Sequence, residues 1–254
     1  MPKVNIYGLD GKVSGEIELP PVFSTPFRDD LIRKDVIAIE ANRRQPYGSM
    51  FRAGMRHSVE TWGKGRGVAR VQRIKGESRA AESPNNVGGR RAHPPRTEKV
   101  WWKKVNRKER LYARHAALAM TADATAVRSR GHRFQEGLTT PLVFADEVEK
   151  LSRAIDVEQF LGSVGVLDDI IRVRRGRNVR AGRGKMRNRR YRQPVGPLIV
   201  LSDLNAPLAR AVCNFPGVEI CTVSSLNTER LAPGGVGGRL VIFSKSAVEK
   251  LGVS

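Results

Sequence analysis

Two short runs of unbroken apolar residues, Leu198–Leu201 and Leu240–Phe243, constrain this chain more than anything else in it. Side chains alternate between the faces of a strand, so a strand apolar on both faces needs cover on both sides of its sheet. Each run opens a unit of apolar strand, polar turn and amphipathic helix. The units are PLVFADEVEKL (141–151), PLIVLSDLNAPLARAV (197–212), GVEICTVSSLNTERL (217–231) and GRLVIFSKSAVEKL (238–251), and the last three strands recur about 21 residues apart. Short strands alternating with helices join by right-handed crossovers and make a parallel sheet. The predicted fold class is α/β: a three-layer domain with a mainly parallel sheet and a Rossmann-like topology.

The rest of the body reads in the same terms. VNIYGLDGKVSGEIEL (4–19) predicts two strands around Asp10-Gly11, a pair suited to positive φ. DDLIRKDVIAIEANRR (29–44) predicts a helix with Asp29 and Asp30 at its N-terminus, Ile32, Val36 and Ile39 on one face, and Arg43 and Arg44 at its end. NRKERLYARHAALAMTADA (106–124) predicts another, capped by Asn106, with Leu111, His115, Leu118 and Ala122 on one face. VEQFLGSVGVLDDIIRV (157–173) reads as a helix followed by a short second one.

Residues 43–99 do not fit this pattern. HSVETWGKGRGVARVQRIKGESRAAESPNNVGGRRAHPPRTEK (57–99) holds little that can build a core, so a long extended basic loop is predicted, inserted between the globular parts 1–42 and 100–254. The formal net charge is +21, and its placement matters more than its size. Residues 43–114 hold 20 basic and 5 acidic residues, and 172–192 hold 11 basic and none acidic. The remainder is mildly acidic. Such segments call for a polyanionic partner. Arginine outnumbers lysine in them by 24 to 7; its guanidinium forks onto phosphate and stacks on bases, which favours folded RNA over a membrane surface. No helix-turn-helix, zinc finger or basic zipper is visible, and no apolar run approaches the roughly 18 residues of a membrane span.

The candidate RNA-binding residues follow the charge. In the first segment they are Arg43, Arg44, Arg52, Arg56, Arg70, Arg73 and Arg79. Arg90, Arg91, His93, Arg96, Lys103 and Lys104 continue the set. In 172–192, a second basic segment within the globular domain, they are Arg172, Arg174, Arg175, Arg177 and Arg180. Arg183, Arg187, Arg189, Arg190 and Arg192 complete it.

Catalytic and cofactor readings are thin. PGGVGGRL (233–240) has glycines that precede a strand instead of following one, and there is no GxxxxGK[ST], so no nucleotide site is predicted. His57, His93, His115 and His132 have no metal-ligand spacing. Asp168 and Asp169 are neighbours on a helix and point about 100° apart, so they read as helix-start charge and not as a dyad. Ser224-Ser225 reads as a helix cap. Cys213 and Cys221 read as reduced, buried residues of a cytoplasmic protein. No catalytic residue, cofactor or metal is expected, and no membrane partner or homo-oligomer.

WGKGRGVARV (62–71), NNVGGRRAHPP (85–95) and NRKERLYARHAALAMTA (106–122), in that order and spacing, resemble the universal family of large ribosomal subunit protein four, in its archaeal and eukaryotic branch. The resemblance runs over essentially the whole chain. The sequence ends at Ser254 without the long basic extension of eukaryotic relatives, which favours an archaeal source; the positive charge argues against an extreme halophile.

The resemblance implies a non-enzymatic structural constituent of the cytoplasmic large ribosomal subunit, bound to 23S-type rRNA and to neighbouring ribosomal proteins. It implies that the loop tip lines the nascent-peptide exit tunnel and meets the nascent peptide there. Carried over, the tip is Trp62, Gly63, Lys64, Gly65, Arg66 and Gly67. Two other classes stay open on the residues alone: an RNA-modifying or RNA-cleaving enzyme, which would need a polar catalytic cluster at the strand ends, and a regulatory nucleic-acid-binding protein.

Overall fold

The computed structural model describes residues 2–253. The chain divides into two compact units, one running up to Glu40 and resuming at Lys104, the other Ala41–Lys103. In chain order the elements are β1 (Lys3–Tyr7), β2 (Val13–Glu18), α1 (Asp29–Asn42), β3 (Val59–Thr61), β4 (Gln72–Ile74), α2 (Arg107–Ala122), α3 (Ala124–Ser129) and β5 (Leu142–Phe144). There follow α4 (Ala154–Val164), α5 (Leu167–Arg175), β6 (Asn178–Val179), β7 (Tyr191–Arg192), β8 (Leu198–Leu201), α6 (Pro207–Val212), β9 (Glu219–Thr222), α7 (Thr228–Leu231), β10 (Val241–Ser244) and α8 (Lys245–Val253).

The larger unit is built on a six-stranded sheet in the order β2-β1-β5-β10-β8-β9. Among the described residues of this sheet, the β1–β2 hairpin is antiparallel and the other four pairings are parallel. The hairpin turn uses Gly11 at φ 71°, where a side chain would also strike Ser163. Burial follows position. Every residue of β5, β8 and β10 is buried, whereas edge strand β2 alternates between half-buried and exposed.

The apolar runs fill two cores by simple alternation. Val143, Leu198, Val200, Val241 and Phe243 pack with Ile32 and Val36 of α1, Ala116–Leu118 of α2, and Val248 of α8. Leu142, Phe144, Ile199, Leu201 and Ile242 pack with α4, α5 and α6 through Val157, Phe160, Leu161, Ile170, Leu208 and Val212. The sheet is thus covered on both faces.

Four expectations need correction. In a Rossmann sheet the first strand is central and later strands add outward. Here β10, last in the chain, lies between β5 and β8, so the winding differs. On α2 the buried face is Ala113, Ala116, Ala117, Leu118 and Thr121, while Leu111 is exposed and His115 half-buried. Leu111 lies two turns before Leu118 on the same side of the helix, so its exposure comes from its place near the helix's N-terminal end. The reading of Asp169 as helix-start charge is incomplete: it does stand in the first turn of α5, but it is fully buried and bonded to His132. Cys213 is exposed near the end of α6, and Cys221 alone of the two is buried.

The smaller unit has a different construction. Among the described residues, Ala41 and Ala81 are its only buried apolar side chains. Backbone contact replaces a core. Ser49 N–H donates to the Pro95 carbonyl at 3.1 Å, and a Cβ on Gly48 would lie 2.8 Å from the Thr97 nitrogen. A Cβ on Gly54 would lie 2.8 Å from the Arg90 Cα. Outgoing and returning segments therefore run side by side where glycine permits it, and β3 pairs with β4 antiparallel. The segment folds back on itself to this extent, which its composition did not suggest.

Candidate nucleic-acid interface

Three aromatic rings carry most of the organised basic surface. In the smaller unit the Trp62 ring is flanked by Arg66 and Arg73, whose guanidinium carbons lie 5.4 and 5.1 Å from its centroid. Trp101 stacks on Tyr47 at 6.4 Å and 15° and has Arg44 at 5.6 Å and Lys99 at 4.5 Å. In the larger unit Tyr191 has Arg177 at 4.3 Å and Arg190 at 5.8 Å. Cations over ring faces are held by the ring quadrupole. Held this way, an exposed guanidinium such as that of Arg66 can turn its N–H edge to fork onto phosphate, whereas Arg73 uses its edge on its own backbone. The buried indole nitrogen of Trp101 has no hydrogen-bond partner among the described residues.

Between Trp62 and Arg70 the chain turns through alternating glycines. Gly63, Gly65 and Gly67 take φ of 75°, 82° and 67°, a region that L side chains avoid, and a Cβ on any of them would meet nothing within 4 Å. Their job is conformation, with open space on every side. Lys64 and Arg66 are exposed between them. Nearby, Arg73 is half-buried and donates to the carbonyls of Ser78 and Ala69, which fixes the arm of β4.

The second basic segment is a hairpin in the larger unit. β6 and β7 pair Asn178 with Arg192 and Val179 with Tyr191, and a short 3-10 turn at Arg183–Arg187 closes it, ending on Asn188 at φ 59°. Its base is fastened by one residue. Arg172 Nε donates to Asp169 Oδ1 at 2.9 Å, and its Nη2 donates to the Val195 carbonyl at 2.8 Å. His132 Nδ1 stands 2.9 Å from Asp169 Oδ2, and the Arg133 N–H donates to Oδ1 at 2.9 Å. Burial alone would raise the Asp169 pKa, but the bonds from His132, Arg172 and Arg133 outweigh it and hold the carboxyl below its ordinary range.

A model of the ribosomal protein L4/L1 family matches residues 17–254. The chain belongs to that family. It is similar to the large ribosomal subunit protein uL4 of Thermoplasma acidophilum, 48% identical over 249 residues that cover 98% of this chain and 97% of the relative. It is also similar to the protein of the same name from Methanococcoides burtonii, 47% identical over 251 residues and covering 99% and 98%. The Pyrobaculum aerophilum protein of that name is 44% identical over 251 residues, covering 98% of this chain and 89% of the relative. These relatives are archaeal, which sets the chain in the archaeal branch of the L4/L1 family.

Most of the predicted residues of this L4/L1 chain lie at the surface. Arg43, Arg44, Arg52, Arg56, Arg70, Arg79, Arg91, His93, Arg96, Lys103 and Lys104 are exposed, as are Arg174, Arg175, Arg177, Arg180, Arg183, Arg187, Arg189, Arg190 and Arg192. Arg73 and Arg90 are half-buried. Arg172 is turned inward, its side chain 18% exposed and engaged as described. The aromatic partners Tyr47, Trp101 and Tyr191 were missed by counting charge alone; each sits directly in a basic run, in RRQPY, VWWKK and RRYR, and that interleaving was the available signal. Phe51 and Val87, 86% and 96% exposed, were missed for the same reason.

Among the described residues no group of His, Cys, Asp or Glu can hold a metal ion, and no helix is long and apolar enough to cross a membrane.

Proposed function

We propose that this chain is a structural constituent of the large ribosomal subunit in the cytoplasm, holding 23S-type rRNA and neighbouring subunit proteins. Its family is one of ribosomal proteins and not of enzymes. The observation that carries the reading is near full-length similarity to relatives named as large-subunit proteins. The aromatic-backed arginines, confined to two segments, supply the matching chemistry.

In this reading residues 1–42 and 100–254 are the globular body, 43–99 is an extended arm that enters rRNA, and 172–192 is a second anchor. Trp62, Gly63, Lys64, Gly65, Arg66 and Gly67 form the arm's tip on the wall of the exit tunnel, facing the nascent peptide. The left-handed glycines with nothing around them support a tip that lies against a partner rather than against its own chain. The chain acts without forming a homo-oligomer. The test is sedimentation of cell extract through a sucrose gradient. The protein should stay with the large subunit after a high-salt wash, and a free monomeric pool would refute the assignment.

A further inference from the structure

Asp35 is a carboxylate in the wrong place for a structural one. It sits on α1 among core residues, 1% exposed. Thr228 Oγ1 donates to its Oδ2 at 2.6 Å, but buried Oδ1 accepts no hydrogen bond from the described residues. Arg110 Nε is 3.8 Å from Oδ1, which gives charge compensation but lies beyond hydrogen-bonding reach. Leaving a buried acceptor unmet is costly unless a donor arrives from outside. Asp35 is among the residues lining an open cavity of about 440 Å³, whose other walls include Arg107, Arg110, Arg114, Asn227 and Thr228. That volume is in the range of small-molecule sites.

The rim and the floor ask for different things. Arg107, Arg110 and Arg114 recur along one side of α2 and attract an anion. The floor needs an N–H donor. An inserted lysine or arginine from a protein would satisfy Asp35 but be repelled by three guanidiniums. A neutral N–H donor attached to a phosphate satisfies both. Asn227 narrows the choice further. Its Oδ1 is taken by the Arg230 N–H at 2.8 Å, which leaves its Nδ2 to donate. An amide donor beside a carboxylate matches the acceptor O6 and adjacent donors N1–H and N2–H of guanine. Leu111 and Leu226 give the base apolar walls. A second cavity of about 370 Å³, lined by the hydroxyl residues Ser202, Thr222 and Ser224, shares Arg114 and can take the neighbouring nucleotide.

We infer that this cavity holds an unstacked guanine nucleotide of the rRNA, its Watson–Crick edge on Asp35 and Asn227 and its phosphates on the arginines of α2. RNA is commonly read through such splayed bases. The inference rests on the ribosomal reading above. Large subunits carrying the wild-type chain, Asp35→Asn or Arg110→Gln would be probed with kethoxal, which modifies N1 and N2 of accessible guanines. The Asp35→Asn side chain keeps the shape and can still accept the Thr228 hydroxyl, but then turns a donor toward the base. One guanine, protected in wild type, should gain about tenfold in reactivity with Asp35→Asn, the loss of a charge-assisted bond. The same guanine should gain less with the exposed Arg110→Gln, which keeps the test alive if Asp35→Asn fails to fold. Unchanged guanines in both variants overturn the inference while leaving the ribosomal reading intact. So does a change seen only with dimethyl sulfate at adenine or cytosine, or a protein cross-link to position 111. Absence of the wild-type chain from the subunit overturns both.

Discussion

The two units solve the problem of holding a fold in opposite ways. The larger buries whole strands: Phe243 has no exposed surface and packs edge-on against Phe23, with ring centroids 6.1 Å apart. The smaller buries two alanines and leaves Phe51 and Val87 almost bare. A chain segment that orders without its own core needs a partner to supply one. Apolar and aromatic side chains left outside, among arginines, are what an RNA surface with exposed bases can cover. Exposure in the smaller unit marks work to be done by contact, and burial in the larger marks work already done by folding.

The contrast breaks first if equivalent truncations behave alike. Phe243→Ala should cost the free protein about 4 kcal/mol, a buried aromatic removed from a filled core. Phe51→Ala should stay within about 0.5 kcal/mol, as for an exposed site. Denaturant titration of the two variants measures the difference, and a large loss from Phe51→Ala would give the smaller unit a core of its own.

A somewhat smaller effect is expected at the fastening of the hairpin. Asp169→Asn should cost about 3 kcal/mol near neutral pH, because it breaks a buried charge network. The pH dependence gives it away. The Asp169 carboxyl is held below its unfolded value in the folded chain. Its contribution is therefore full above about pH 3.9 and is lost as pH falls through the lower folded value. Acid titration of stability should fall less steeply in the variant than in wild type over that interval. Equal slopes would show that the Asp169 network contributes no linked stability.

Smaller again are the surface charges. Replacing Arg174, Arg175, Arg189 and Arg190 with Gln should weaken rRNA binding more than about tenfold and flatten the log–log salt dependence by about 3. Lys64→Glu should change affinity least, since the tip proposed above would meet water and peptide as well as RNA. Its effect should appear in nascent-chain stalling on a tunnel-sensitive peptide. If Lys64→Glu blocked assembly as severely as the arginine variant, and left stalling untouched, the tip would be another anchor.

Much of the larger unit was legible because its signals are local. Leu198–Leu201 and Leu240–Phe243 announce buried strands whatever surrounds them, and Asp29-Asp30 announces a helix start. What failed was long-range. Nothing in RLVIF says that this last strand will insert between β5 and β8, because strand order is set by pairing between distant segments. Asp169 looked like helix-start charge because its partner His132 is 37 residues away. Arg239 drew no reading in the sequence, yet it is buried and donates to Glu219 at 2.8 Å and to the Gly196 carbonyl at 3.0 Å. Asp35 gave no sign in an amphipathic helix pattern. In the interface, charge revealed the arginines but not the rings beneath them, since a count of cations is blind to what they stack on.

The claim that the body, α5 included, folds by itself while residues 43–99 and 177–192 gain their order from RNA is tested most directly by amide hydrogen exchange, on the free protein and on the intact large subunit. Amides of β5, β8 and β10 should be protected in both. Those of 43–99 and of 177–192, the part of the second basic segment beyond α5, should exchange rapidly in the free protein and slow by orders of magnitude in the subunit. Strong protection of 43–99 in the free protein would contradict the account, because that segment would then be holding itself together.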